Sequence, residues 1–168
     1  MPARLPVPQP GAGGGWCAPS LAGVSPDEIA RRSAEAMLAE DRASLGAGIE
    51  LVDVRPGRST ATMTVRADMV NGHDIAHGGY VFMLADTAFA IACNSYGRRA
   101  VAHGCDIAFV APARTGDQLV AEAEERHRAG RSGIYDVSVR RGDGTVVAEM
   151  RGRSRTIEGT LVPQEDEQ

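Results

Sequence analysis

The 168-residue chain has no lysine: all 18 of its basic residues are arginine, and 22 carboxylates leave a formal net charge of -4. No overall basic field is available to draw in nucleic acid. No apolar run approaches the roughly 18 residues that span a bilayer, so no membrane helix is expected. Cysteine is scarce. Cys17, Cys93 and Cys105 form no CxxC pair and have no histidine at ligand spacing, so no metal site is expected and a reducing cytoplasm is the natural compartment. GxSxG is absent, and with it the usual signal of a serine nucleophile. The N-terminal MPARLPVPQPGAGGGWCAPSLAG lacks the charged start and apolar block of a secretory signal.

Residues 1–24 therefore read as a disordered Pro/Gly-rich leader, residues 25–157 as a single domain, and 158–168 as an acidic flexible tail. In SPDEIARRSAEAMLAEDR, residues 25–42, Ser25 can cap, Pro26 suits the first helical position and Glu28 completes a capping box. Strand-like runs follow at about 47–55 and 58–66, joined at Pro56-Gly57. Four more strand candidates lie at about 99–111, 117–128, 133–141 and 145–156. Short turns between consecutive strands predict an antiparallel sheet.

Between the second and third strands lies one long helix, about Gly79 to Ser95. Val81, Leu84, Ala85, Ala88 and Ala92 form an apolar stripe, with Phe82, Phe89 and Cys93 on its flank. A helix apolar nearly all round is a central one, and the sheet should wrap it. Asp86 is its only Asp, Glu, Lys, Arg or His from Gly78 to Asn94, set between Phe82 and Phe89 at i+4 and i-3 spacing. An unpaired buried carboxylate is costly or takes up a proton. Two readings stand level on position alone: a working carboxylate, or one that pairs with an arginine and fixes register.

What precedes Asp86 favours chemistry. His77-Gly78-Gly79 stands where loop becomes helix, paired glycines admit close backbone approach, and first-turn N–H groups have no internal partners. That is a candidate oxyanion hole. It lies about two turns, or roughly 12 Å, from Asp86, so a ligand must bridge the two from the side or another chain must complete the site. Amide donors plus a carboxylate that activates water or attacks directly suit acyl transfer.

At these residues the chain resembles a family. NGHDIAHGGYVFMLADTAFAIACNSYG is similar to the signature of hotdog-fold acyl-CoA thioesterases of the phenylacetic acid degradation type, and the likeness continues more weakly through CDIAFVAP and SGIYDVSV. It implies an α+β hotdog fold, a long central helix wrapped by a curved antiparallel sheet. It also implies self-association as a homodimer or homotetramer with sites at the subunit interface.

By that resemblance Asp86 is the catalytic carboxylate, as general base or nucleophile. Gly78 offers its N–H to the oxyanion, His77 helps hold the thioester, and Asn71 orients water or the carbonyl. Gly79, Phe82 and Thr87 are expected to line the substrate. The substrate implied is an aryl-acyl-CoA such as phenylacetyl-CoA or hydroxyphenylacetyl-CoA, in phenylacetate catabolism. No cofactor is implied, because coenzyme A belongs to the substrate. Other readings are a non-catalytic acyl-CoA-binding hotdog module and a hotdog enoyl-CoA hydratase. Relatives carry Phe-Leu-Arg-Pro where this chain has Phe109-Val110-Ala111-Pro112, and Arg114 is the candidate substitute. Arg128, Arg131, Arg151, Arg153 and Arg155 join it as candidates for the coenzyme phosphates, with a solvated strand face the equal alternative for each. Asp106 is expected to be solvated or paired with an arginine.

Overall fold

The computed structural model describes residues 23–162. Nearly all of the expected leader, with Cys17, and the acidic end from residue 163 lie outside the described residues. Helix α1 (Pro26–Glu40) starts as its sequence predicts, with the Ser25 hydroxyl accepting from the Glu28 N–H at 3.2 Å. Glu28 does not return the bond. Its carboxylate instead takes Arg31 and Arg32, one turn along, each at 2.7 Å. A short second helix, α2 (Arg42–Ala47), follows at once and was not expected. Asp41 ends α1 and caps α2, accepting from the Ser44 N–H at 2.9 Å.

The strands are β1 (Glu50–Arg55), β2 (Arg58–Thr64), β3 (Arg98–Phe109), β4 (Gln118–Ala129), β5 (Ser132–Arg141) and β6 (Val146–Thr160), and helix α3 (Gly78–Asn94) stands between β2 and β3. They form one sheet in the order β1-β2-β4-β5-β6-β3, antiparallel at every neighbour. The first hairpin turns on Pro56-Gly57, with Gly57 at φ +74, where only glycine is unstrained. The last strand runs further than expected. Thr160 still pairs with Arg98, the Leu161 N–H donates to the Gly97 carbonyl at 2.9 Å, and Val162 is buried, so residues 158–162, expected in the tail, are packed with the sheet.

Alternation puts Tyr135, Val137 and Val139 of β5 on the inner face, against Leu84, Ala85, Ala88, Phe89 and Ala92 of α3. The alanines let the sheet close on the helix, the hotdog arrangement. Three polar side chains tie α3 to the sheet. Ser59 donates to the Ala88 carbonyl at 2.6 Å, Ser95 accepts from the Gly57 N–H at 2.7 Å, and Asn94 exchanges both its amide groups with the Ala100 backbone at 2.8 and 3.0 Å. The Asn94 side chain thus stands in for a strand neighbour and fixes where β3 begins.

β3 is an edge strand of twelve residues with none fully buried. Val101 and Phe109 are 45% and 55% exposed. Apolar side chains along an unpaired edge are what proteins ordinarily avoid.

Candidate active site

The residues before α3 form a tight loop whose backbone bonds are internal: the Asn71 N–H donates to the Ile75 carbonyl and the Asp74 N–H to the Asn71 carbonyl. The Asn71 side-chain oxygen accepts from the His73 N–H at 2.9 Å. That bond takes one of the two lone pairs of the oxygen, and the Asn71 amide NH2 has no partner among the described residues, a donor that suits a carbonyl oxygen.

His77 caps α3, its Nδ1 accepting from the Gly79 N–H at 2.9 Å. That bond sets the tautomer, so the neutral ring carries its proton on Nε2 and offers it to solvent. It also divides the two glycines. Gly79 spends its amide on His77, while the Gly78 N–H has no partner among the described residues and remains a free donor. The Phe109 ring covers Gly78 so closely that a β-carbon there would come within 3.0 Å of it. Asn71, Ile75, Gly78, Val81, Phe109 and Pro112 are among the residues lining one cleft of about 470 Å³.

Asp86 does not line that cleft. It lies two turns further along the same continuous helix, roughly 12 Å by axial rise, beyond the reach of any single carbonyl held at Gly78. Asp86 is half-buried and makes no hydrogen bond or ion pair with the described residues. Desolvation alone pushes its carboxyl above the ordinary value of 3.8. The register-fixing arginine of the bland reading is absent from its surroundings among the described residues. Its neighbours can be located electrostatically. Cys93 is pushed up to about 12, first by burial and next by the Asp86 charge, and Cys105 of β3 is raised by the same two causes in the same order. Asp86 shares a helix face with Cys93, seven residues on, and its charge acts on Cys105 of β3.

Phe82, Met83, Asp86 and Ala90, at helical spacing, are all only partly buried, so α3 carries an open apolar stripe beside the edge strand. Phe82 belongs to this stripe. Phe89 instead turns into the sheet. Thr87 is buried, and its hydroxyl lies 2.9 Å from the Ser44 hydroxyl of α2.

Of the arginines considered for phosphate, Arg128 stacks 3.8 Å over the Tyr96 ring, Arg131 donates to the Thr156 carbonyl, and Arg151 and Arg153 pair with Asp136 and Asp106. Arg114 reaches the Asp74 carbonyl at 3.4 Å. Arg155 has no partner among the described residues. The role of Phe109 over the donor amide and of Met83 and Ala90 beside the carboxylate is not legible from residue type. The one sequence signal is the apolar Phe109-Val110 pair where β3 ends.

Comparison with known proteins places the chain in a family. The thioesterase superfamily model matches residues 73–148, from the loop before α3 into β6. The acyl-coenzyme A thioesterase PaaI of Escherichia coli (strain K12) is 44% identical over 130 residues, covering 77% of this chain and 93% of the relative. The solved structure of the E. coli PaaI protein from the phenylacetic acid degradation operon aligns with a TM-score of 0.80 at 43% identity, over 81% of this chain and 99% of that one. A mutant of the phenylacetic acid degradation protein PaaI from Thermus thermophilus aligns with a TM-score of 0.67 at 33% identity, over 70% and 100% of the two chains. No described helix is long and apolar enough to cross a membrane.

Proposed function

The chain belongs to the thioesterase superfamily and is an acyl-CoA thioesterase of the PaaI kind, and from that premise we propose that it is a cytoplasmic hydrolase of aryl-acyl-CoA, such as phenylacetyl-CoA or hydroxyphenylacetyl-CoA, in phenylacetate catabolism. The observation that carries the mechanism is Asp86 itself, a half-buried carboxylate with a raised pKa and no partner of its own among the described residues. Asp86 takes a proton from water as the oxygen attacks the thioester carbonyl. The developing oxyanion is met by the Gly78 N–H and the Asn71 amide, with the exposed His77 Nε2–H beside them. The C–S bond then breaks, the proton passes from Asp86 to the departing sulfur, and free acid and coenzyme A leave. No resident cofactor takes part.

The donors and the carboxylate lie too far apart in one chain to act on one carbonyl. We therefore assign the working site to two copies joined along β3, with Asp86 of one subunit opposite the partner's Gly78 and the partner's Asn71. The exposed apolar edge of β3 and the open stripe of α3 support this arrangement. The family resemblance implies either this homodimer or a homotetramer made of two of them.

Two experiments test the reading. Thiol release should be measured across a panel of aliphatic and aromatic acyl-CoAs. Aryl-acyl substrates should lead in kcat/KM by about tenfold, which is about 1.4 kcal/mol of discrimination; a flat profile or an aliphatic preference sinks the aryl assignment. For the shared site, Asp86→Asn and Asn71→Ala chains, each inactive alone, should be co-refolded. Random twofold pairing rebuilds about a quarter of the sites, and activity should return to about that level. No recovery from well-mixed dimers means that the site lies within one chain.

A further inference from the structure

Thr87 sits next to the carboxylate, and the direction of its hydrogen bond can be settled by counting protons. The Ser44 hydroxyl lies 2.6 Å from Asp41 Oδ2 and 2.9 Å from Thr87 Oγ1. Ionised Asp41, whose pKa is lowered, only accepts, so the single Ser44 proton goes to it. The Ser44 oxygen can then only accept from Thr87. The chain runs one way, from the Thr87 O–H to Ser44 and from the Ser44 O–H to Asp41, and it ends on a charge that strengthens it.

A helical threonine usually donates back to the carbonyl of the preceding turn, which bends the helix. Here that bond is replaced by one to a different element, 43 residues away in sequence and buried. Ser44 is the only polar residue that α2 buries, and it spends that position on the residue after Asp86. Asp86 has no hydrogen bond of its own among the described residues to fix its direction. Its aim is therefore set by the rotation of the α3 turn that carries it. On one side that turn is held by the sheet, through Ser59 and the Ala88 carbonyl at 2.6 Å. On the other, Thr87 is the polar attachment.

We propose that Thr87 and Ser44, anchored by Asp41, are positioning residues that fix the rotation of the α3 turn and so aim the Asp86 carboxylate at the thioester. This rests on the reading of Asp86 as the catalytic base. Helix α2 is then part of the catalytic apparatus without touching substrate.

The test compares Thr87→Val, Ser44→Ala, the double variant, Thr87→Ser and Asp86→Asn, each assayed with phenylacetyl-CoA below its unfolding temperature. A fraction of the roughly hundredfold cost of a full 1 Å misplacement is expected, so kcat should fall about tenfold in Thr87→Val and in Ser44→Ala, with KM moving less than about twofold. The double variant should lose no more than either single one, because both break one chain. Thr87→Ser keeps the donor and should restore kcat. If Thr87→Val does not fold, Ser44→Ala and Thr87→Ser decide the matter. An unchanged kcat in Ser44→Ala and Thr87→Val, beside an inactive Asp86→Asn, overturns the positioning role and leaves the base standing. An active Asp86→Asn removes the base, and the positioning role with it.

Discussion

Asp86→Asn should hydrolyse phenylacetyl-CoA about 10²–10⁴-fold more slowly than the parent chain, the range a positioned general base supplies, and it should unfold at a higher temperature at neutral pH. Both effects have one cause. Burial without a partner holds the folded-state pKa of Asp86 above its ordinary 3.8, so the ionised group that the chemistry needs is the one the fold disfavours. Its contribution to stability is fully present below the unfolded pKa and is lost as pH rises through the folded one. The melting-temperature advantage of the asparagine variant should therefore be absent below about pH 4 and grow as pH is raised toward neutrality. The rate of the parent enzyme should move the opposite way, falling as acid titrates Asp86, with its acid limb above 3.8. An asparagine variant that is inactive but less stable than the parent at neutral pH contradicts this account of the site, because it means that the charge has a native partner. A variant that keeps full rate removes the base altogether. Trapping of an acyl-enzyme in the parent would instead make Asp86 the nucleophile.

Those features of the fold that depend on local period were legible in the sequence. The six strands, their antiparallel pairing and the central helix each announce themselves through alternation, turn residues or an apolar run, and their ends fall within a few residues of expectation apart from β6. What was not legible depends on partners distant in the chain. α2 has six residues and two buried side chains, one of which, Ser44, meets Thr87, 43 positions further along the chain. Glu28 carried a capping-box signal, yet Arg31 and Arg32 stand one turn away and offer stronger, charge-assisted bonds. The candidate site divides in the same manner. Asp86 stood out because a single carboxylate in an apolar helix is conspicuous. The division of labour between Gly78 and Gly79 did not, because it depends on which ring nitrogen of His77 faces which amide.

The second large effect concerns stability and sits three residues from Asp86. Phe89 is 1% exposed and lies between two rigid surfaces. On one side it meets Tyr135 edge-on, with ring centroids 5.5 Å apart, and on the other it presses on Gly152, where a β-carbon would stand 2.8 Å from the ring. Neither surface can close over a void. The Tyr135 hydroxyl is held by the Glu125 carboxylate at 2.9 Å, and Gly152 is paired to Cys105 on one side and Tyr135 on the other in the middle of β6. Phe89→Ala should therefore fall at the upper end of the about 3–5 kcal/mol that such truncations cost, lowering the melting temperature by roughly 10 °C or more. Gly152→Ala attacks the same contact from the other side and should cost about 1–3 kcal/mol by overpacking. Combining Gly152→Ala with Phe89→Leu should cost measurably less than the two singles added together, because the methyl occupies part of the space the ring gives up. If Gly152→Ala is neutral, or if the two changes simply add, Phe89 and Gly152 are not in the contact that fixes the height of α3 above the sheet, and the placement of Asp86 must depend on its other attachments alone.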